Sequence, residues 1–289
     1  MIKNLAKRLI SGSVSGLSHT SIGRYLSQQM VDAAMSQQSV VQYGAHRMTF
    51  AVPNWLNHYR VTTFATKEPE TLEWIESIPL GAVVWDVGAN VGLYSVFAAK
   101  ARDCRVYAFE PSVFNLELLA RNVFANSLHG RVTLVPIALT DEMAVSSFKL
   151  TSTAWGGALS TFGQGFDQHG ATLREIFEYR TVGMSMSDAM SILSIPAPAY
   201  LKIDVDGIEH FILRGGTSVL EKVESVLIEI NDNFLAQSEE SARRLGEAGL
   251  VLWRKCDLGV PGQYNQWWVR RPPTPAVATS RAANMQVDR

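Results

Sequence analysis

The chain is short of the features that assign a protein quickly. Its 289 residues include two cysteines, Cys104 and Cys256, without metal-ligand spacing. A disulfide framework and a zinc site are therefore not expected, and a reduced, cytoplasmic setting is the plain reading. There is no excess of either charge: 26 Lys and Arg stand against 27 Asp and Glu, a net charge of -1. That balance offers no basic face for nucleic acid. No apolar run is long enough to cross a bilayer. Met1–Gly16 carries Lys3, Lys7 and Arg8, but its apolar stretches are too broken for a secretory leader. A frayed terminal helix is expected there, and the alternative is peripheral attachment at the inner face of a membrane.

What is present describes an ordinary globule, with 47% hydrophobic and 18% charged residues. A chain of this length builds one core easily. The expected division is an N-terminal helical and hairpin extension over 1–68, a main domain over 69–271 and a mobile Pro- and Ala-rich tail over 272–289.

The main domain is organised around Val83-Val84-Trp85-Asp86-Val87-Gly88-Ala89-Asn90-Val91-Gly92, followed by a helical Leu93–Lys100. An apolar strand ends in a carboxylate and a two-glycine turn, then a helix begins. This is the first crossover of a parallel α/β sheet, and ligands sit at such strand ends. Gly88 lets the backbone turn, and Gly92 lets helix and strand pack closely. A dinucleotide fits poorly. Its fingerprint needs a glycine where this chain has Asn90, and Asp86 repels phosphate. A ligand carrying an ammonium and a sulfonium, S-adenosylmethionine, suits Asp86 better than NAD does. The plain alternative is a glycine turn that binds nothing. Arg105–Glu110 reads as the second strand, stopped by Pro111, and its terminal Glu110 lies where an acid accepts bonds from ribose hydroxyls.

Elsewhere the periodicity predicts a hairpin over Val40–Val52 and helices over Glu70–Ile78, Ser112–Asn126, Ile208–Arg214 and Ser238–Ala248. In Ser112–Asn126 the apolar positions are Leu116, Leu119, Ala120, Val123 and Phe124. Strands are expected at Val132–Leu139, Val145–Leu150 (an edge strand), Tyr200–Asp206 and Ser225–Ile230. A terminal antiparallel pair follows, Leu250–Arg254 with Gln266–Arg270. Alternating strands and helices imply a right-handed, doubly wound, mostly parallel sheet. Thr151–Arg180 is glycine-rich with interleaved aromatics and reads as an acceptor lid or as disorder at rest. Asp141 reads as a turn residue, with contact to an adenine amine as the alternative.

Lys202, Asp204, Asp206, Glu209 and His210 crowd the end of one strand and the following helix. Lys202 and Asp204 make either a structural pair or part of a site. Asp204 should neighbour the strand that ends at Asp86, which places acid on both sides of the sulfonium. His210 is a candidate base or an ordinary helix residue.

Taken together, Asp86–Gly92, Phe109-Glu110-Pro111 and Leu201-Lys202-Ile203-Asp204-Val205-Asp206-Gly207-Ile208-Glu209 resemble the FkbM family of S-adenosylmethionine-dependent methyltransferases, over about Glu68 to Glu229. One departure is Asp206, where that family usually has glutamate. The resemblance implies a class I methyltransferase (Rossmann-like) fold and O-methylation of sugars, polyketides and other hydroxyl-bearing acceptors. Asn115–Leu119 and Trp155–Ser160 look most like bacterial members associated with surface polysaccharides. The cofactor site is then expected at Asp86, Gly88, Ala89, Asn90, Gly92, Glu110 and Asp204. Proton transfer is expected at Asp204, Glu209 or His210, with Glu229 in reserve. Trp155 and Asp206 are assigned to the acceptor, a sugar or glycan hydroxyl, and no metal is expected. The alternatives are a polyketide or small-metabolite O-methyltransferase and a cofactor-binding subunit without turnover. Oligomeric state stays open, a homo-oligomer included.

Overall fold

The computed structural model describes residues 19–271. The expected terminal helix over Met1–Gly16 and the expected tail over 272–289 lie outside the described residues. Helix α1 (Ser21–Ser36) leads into a hairpin, β1 (Gln38–Tyr43) and β2 (His46–Ala51), turning at Gly44. Helices α2 (Trp55–Thr62) and α3 (Pro69–Ser77) follow; Pro69 opens α3 at a position where no N–H is needed.

The first crossover is then built as expected. Strand β3 (Val83–Val87), α4 (Leu93–Arg102), β4 (Arg105–Phe109), α5 (Val113–Ala125) and β5 (Val132–Val135) run in order. Pro136 follows β5 at once, and a proline cannot donate to a ladder. The expected strand Val132–Leu139 is consequently split: β6 (Ala138–Thr140) belongs to another sheet. That second sheet has the order β6-β9-β7-β8, with β7 (Ala144–Leu150), β8 (Ser160–Phe162) and β9 (Phe177–Ser185). Val145–Leu150, read from sequence as an edge strand, therefore lies inside this sheet, between β9 and β8.

After α6 (Met186–Ile192) the chain returns to the main sheet with β10 (Tyr200–Ile203), α7 (Glu209–Arg214), α8 (Thr217–Leu220), β11 (Ser225–Asn231), α9 (Leu235–Glu247), β12 (Val251–Asp257) and β13 (Gln263–Val269). The seven strands take the order β12-β13-β11-β10-β3-β4-β5. The five from β11 to β5 are parallel, and β13 and β12 close one side as the expected antiparallel pair. This is the class I methyltransferase arrangement. The central strands β11, β10 and β3 are buried on both faces, and alternate residues divide between two cores: Val84 and Val106 with Phe97 and Trp74, Trp85 and Ile203 with Phe109 and Ile212.

Helix α5 departs from its expected face. Phe124 is 84% exposed, while Asn115, Asn122 and Asn126 are buried beside Leu118 and Leu119. The reason is the neighbouring hairpin. The edge of β2 presents unpaired backbone groups that must find partners. Asn122 accepts from the Ala51 N–H at 2.7 Å, and Asn126 accepts from the Thr49 N–H and donates to the Thr49 carbonyl. A stripe of asparagines thus docks the hairpin where the apolar pattern pointed elsewhere.

Candidate active site

The main sheet reverses its winding between β3 and β10, which makes their ends the place for a ligand. Ile203 pairs with Val87, and the Asp204 N–H donates to the Val87 carbonyl at 3.0 Å. Gly88 follows with φ +82°, and a Cβ there would lie 1.9 Å from the Asp204 carbonyl oxygen. Only glycine fits. The turn is tied to the next strand as well, because the N–H groups of Gly88 and Ala89 both donate to the Phe109 carbonyl. Asn90 adopts φ 51°, a left-handed conformation that asparagine tolerates.

Glu110 is buried, and its carboxylate accepts from the N–H of Asn90 and of Ser112, each at 2.8 Å. Burial pushes it up to about 7 against the pull of those bonds. Asp86 is also buried and also raised by desolvation. One of its oxygens accepts from the Ser95 hydroxyl at 2.6 Å, and the other, Oδ1, has no partner. Lys202 is only 4% exposed. Burial would strip its charge, but Asp204, Asp86 and Glu68 outweigh that and hold the ammonium charged. For Asp204 burial opposes ionisation, and Lys202 at 2.7 Å more than reverses it, so this carboxyl sits below its usual range.

Two cavities meet here. The larger, about 300 Å³, is lined by Asp86, Tyr94, Lys202, Asp204, Glu229 and Glu68 among others. The smaller, about 50 Å³, lies beyond Glu110 and Pro111 against Ile137, Phe148 and Ile208. Gly88, Asn90, Asp204 and Asp206 border both. A loop over 155–160 roofs the junction and is held almost wholly by its backbone. The Trp155 carbonyl accepts from Asn54 and Asn57, the Gly156 carbonyl from Arg60, and the Gly157 carbonyl from Asn90 and Asn115. Asp206 accepts from the N–H of Leu159 at 2.7 Å and of Ser160 at 3.3 Å.

The structure therefore brings Asp86, Gly88, Asn90, Glu110, Asp204 and Asp206 together, with Ala89 beside them in the larger cavity. Gly92 lies behind the turn, where a Cβ would meet Leu119 at 2.2 Å. Asp206 is not on the strand as read from sequence. β10 stops at Ile203, and Asp206 sits in a turn at φ 63° with its carboxylate on the roof loop. Glu209 and His210 line neither cavity. Glu209 is 1% exposed, pushed to about 7 by burial, and accepts from the N–H groups of Val205 and Gly207 and from Gln237. His210 packs against Phe211 and Phe234 and is lowered by burial to about 4. Both are placed as supports of the fold and not, as expected, as bases at the cavity. Trp155 likewise lines neither cavity and packs with Ala51, Val91 and Leu118.

Arg60, Glu68 and Tyr94 were not legible as site residues, because only the folded chain carries α2 and α4 to the strand ends. Glu229 was, through its place at the end of the strand beside Asp204. Among the described residues no group of three or more His, Cys, Asp or Glu is arranged to hold a metal ion.

Comparison with known proteins bears on the same residues. The profile of the methyltransferase FkbM domain matches residues 86–248. The chain belongs to the FkbM methyltransferase family. It is accordingly an S-adenosylmethionine-dependent methyltransferase. It is 23% identical over 198 residues to the hexuronic acid methyltransferase AglP of Haloferax volcanii, covering 68% of this chain and 76% of that one. It is 27% identical over 221 residues to the 31-O-demethyl-FK506 methyltransferase FkbM of Streptomyces tacrolimicus, covering 66% and 81%. Among solved structures it is similar to the methyltransferase FkbM of Methylobacillus flagellatus, at 14% identity and a TM-score of 0.45, covering 72% of this chain and 52% of that one.

Proposed function

We propose that this protein transfers a methyl group from S-adenosylmethionine to a hydroxyl of a sugar, in a bacterial surface polysaccharide or a related glycan. The observation that carries the reading is the buried, unpartnered Oδ1 of Asp86, a residue that lines the larger cavity near the end of its strand. An orphaned buried carboxylate oxygen costs free energy unless a donor reaches it, and an ammonium group suits it. The rest of the lining fits the same ligand. Gly88, Ala89 and Asn90 would hold the amino-acid end, Glu110 the ribose hydroxyls, and Asp204 would face the sulfonium. The adenine would enter the smaller cavity past Pro111 and Ile137, which displaces part of the roof. The donor supplies an electrophilic methyl carbon, and the chain's own task is to hold acceptor oxygen, methyl and sulfur in line.

Beside its acids, the larger cavity is lined by the polar side chains of Arg60, Lys67, Gln168 and Gln263. Such a lining suits a polyhydroxylated acceptor better than a polyketide, and the relative named for hexuronic acid methylation supports the same choice. Calorimetry with S-adenosylmethionine and with NAD tests the donor. Release of S-adenosylhomocysteine with hexuronic acids and hexoses, against a macrolide acceptor, tests the rest. Binding of NAD alone, or turnover of the macrolide alone, would replace this reading.

We place the protein in the cytoplasm, associated peripherally with the inner face of the membrane. No described helix is long and apolar enough to cross a membrane. Helix α1 nevertheless turns Ile22, Tyr25, Leu26 and Met30 outward, with Ile22 76% and Met30 73% exposed. An apolar stripe of that kind lies well in a lipid interface.

A further inference from the structure

We propose that Glu229 is the proton acceptor for the attacking hydroxyl, and that arrival of the cationic donor arms it. The proposal rests on the methyltransferase reading above and adds a residue and an order of events to it. Glu229 stands on β11 one step beyond the Ile203–Ile228 pair, where the pairing with β10 stops and Asp204 leaves its strand. It lines the larger cavity together with Asp86, Lys202 and Asp204. Among the described residues its carboxylate has no hydrogen bond and no ion pair.

Asp86 has one oxygen on the Ser95 hydroxyl and offers the other to the donor's ammonium, and the remaining acids near Glu229 are already engaged. Asp204 is held by Lys202, Asp206 by the roof loop, and Glu209 by the N–H groups of Val205 and Gly207 and by Gln237. Glu68 is paired with Lys67. The cations of the cavity are spent in the same way, with Lys202 on Asp204, Lys67 on Glu68 and Arg60 on the Gly156 carbonyl. Across the sheet, Asn265 opposite Glu229 directs its amide to Glu70. Glu229 is left, among the described acids of the cavity, as the one with neither oxygen bonded.

Its surroundings explain why it waits for the donor. Burial first, then the charges of Asp204, Glu209, Asp206 and Glu68, push its carboxyl up to about 9. In the empty protein near neutral pH it therefore holds a proton. S-adenosylmethionine brings a sulfonium and an ammonium against one carboxylate, and that net positive charge among these acids favours ionised Glu229. The proton leaves to solvent as the donor binds. The acceptor hydroxyl then gives its proton to the Glu229 carboxylate as its oxygen bonds to the methyl carbon. The pair from the broken carbon–sulfur bond stays on sulfur, so charge and atoms balance. A base whose affinity for protons lies near that of the working solution is the efficient kind.

Glu229→Gln tests this. The amide matches the neutral acid in shape, so folding and donor affinity should stay within about threefold of the parent near pH 7. At pH 8, Asp206, Glu110 and Glu209 are already ionised. Calorimetric titration with S-adenosylmethionine at that pH, in phosphate and in Tris, reads the proton exchanged on binding. The parent should release up to about one proton more than Glu229→Gln. With glucuronic acid and a pool of hexoses as probes, release of S-adenosylhomocysteine should fall about 100-fold to 10,000-fold in the variant. Equal proton release by the two proteins, or parental turnover by Glu229→Gln, overturns the assignment. Should the pool contain no acceptor, the proton count decides alone. Failure of the parent to bind S-adenosylmethionine at all would instead remove the functional reading.

Discussion

Lys202 and Asp204 meet at 2.7 Å at the point where β3 and β10 end. Lys202 is also the register partner of Asp86 on β3, so one buried ammonium serves acids on both strands. The pair belongs to the site and to the fold at once. Removing a single partner leaves the other charge buried and alone, which costs about 3–5 kcal/mol. Asp204 keeps some contact with the cavity, so Lys202→Met should destabilise by about 3 kcal/mol in urea unfolding at neutral pH. Adding Asp204→Asn should restore much of it. A loss below about 1 kcal/mol in the single variant would place the pair with exposed ion pairs.

Any side chain at Gly88 meets the fold before it meets a ligand. The structure puts the added Cβ 1.9 Å from the Asp204 carbonyl oxygen at φ +82°. The clash is with the protein's own backbone. Gly88→Ala should therefore cost more than about 4 kcal/mol. Gly92→Ala should cost less, since its new Cβ meets the tip of Leu119, a side chain that can turn away. Thermal unfolding of the two variants checks the order.

Much of this was legible because it depends on short-range pattern. A strand ending in Asp86, a left-handed glycine and a helix start can be read within ten residues. The pairing of β3 with β10 followed from the winding rule. The bases were misjudged for a physical reason: proximity in sequence to Asp204 did not place Glu209 and His210 on the cavity, because β10 ends at Ile203 and the turn at Asp206 carries α7 behind the sheet. The roof was illegible for another. Asn54, Asn57, Asn90 and Asn115 act on backbone atoms of a distant loop, and no periodicity marks a side chain that bonds a carbonyl far along the chain. Asn122 and Asn126 escaped in the same way.

Two of the groups that set the pH dependence of stability oppose each other. Glu110 is raised from 4.5 to about 7 in the fold. Its contribution is fully present below pH 4.5 and is lost as pH rises through 7. His210 is lowered from 6.5 to about 4. The unfolded chain gains that proton first, so stability is lost as pH falls from 6.5 towards 4. Between about pH 4.5 and 6.5 these two contributions offset each other, and above that range the loss through Glu110 stands alone of the two. Between pH 5 and 8, Glu110→Gln should lose less than the parent by on the order of 3 kcal/mol. Denaturant unfolding at the two pH values measures it, and equal slopes would mean that Glu110 ionises normally in the fold.

The outward stripe of α1 makes a prediction independent of catalysis. Leu26→Glu with Met30→Glu changes only exposed positions, so stability should move by less than about 0.5 kcal/mol. Sedimentation with vesicles rich in phosphatidylglycerol should capture the parent and leave the variant in solution. If the parent ignores vesicles and the variant dissociates from a dimer, the stripe covers a second copy instead.

Asp206 is the one acid of the cavity whose carboxylate holds the roof, through the N–H of Leu159 and of Ser160. Leu159 itself sits at φ 60°, a conformation unfavourable for a leucine that local structure must maintain. Burial and the nearby Asp204 raise Asp206 to about 6, against the pull of those two N–H groups. Protonation removes the charge that makes the bonds strong. The roof should then loosen as pH falls below 6. Hydrogen exchange at Leu159 and Ser160, corrected for the intrinsic effect of pH, should quicken in the parent between pH 7 and 5. Asp206→Asn keeps an acceptor and tolerates the left-handed turn, but loses the charge. A bond to a charged group exceeds a neutral one by about 1–1.5 kcal/mol, so exchange at the two amides should be about tenfold faster at pH 7. It should also be insensitive to pH over the same range. Because seating the adenine displaces part of this roof, the variant should bind S-adenosylmethionine faster while its acceptor reactions slow. Unchanged protection at Leu159 in Asp206→Asn would show that Asn90, Asn115 and Arg60 hold the loop without it.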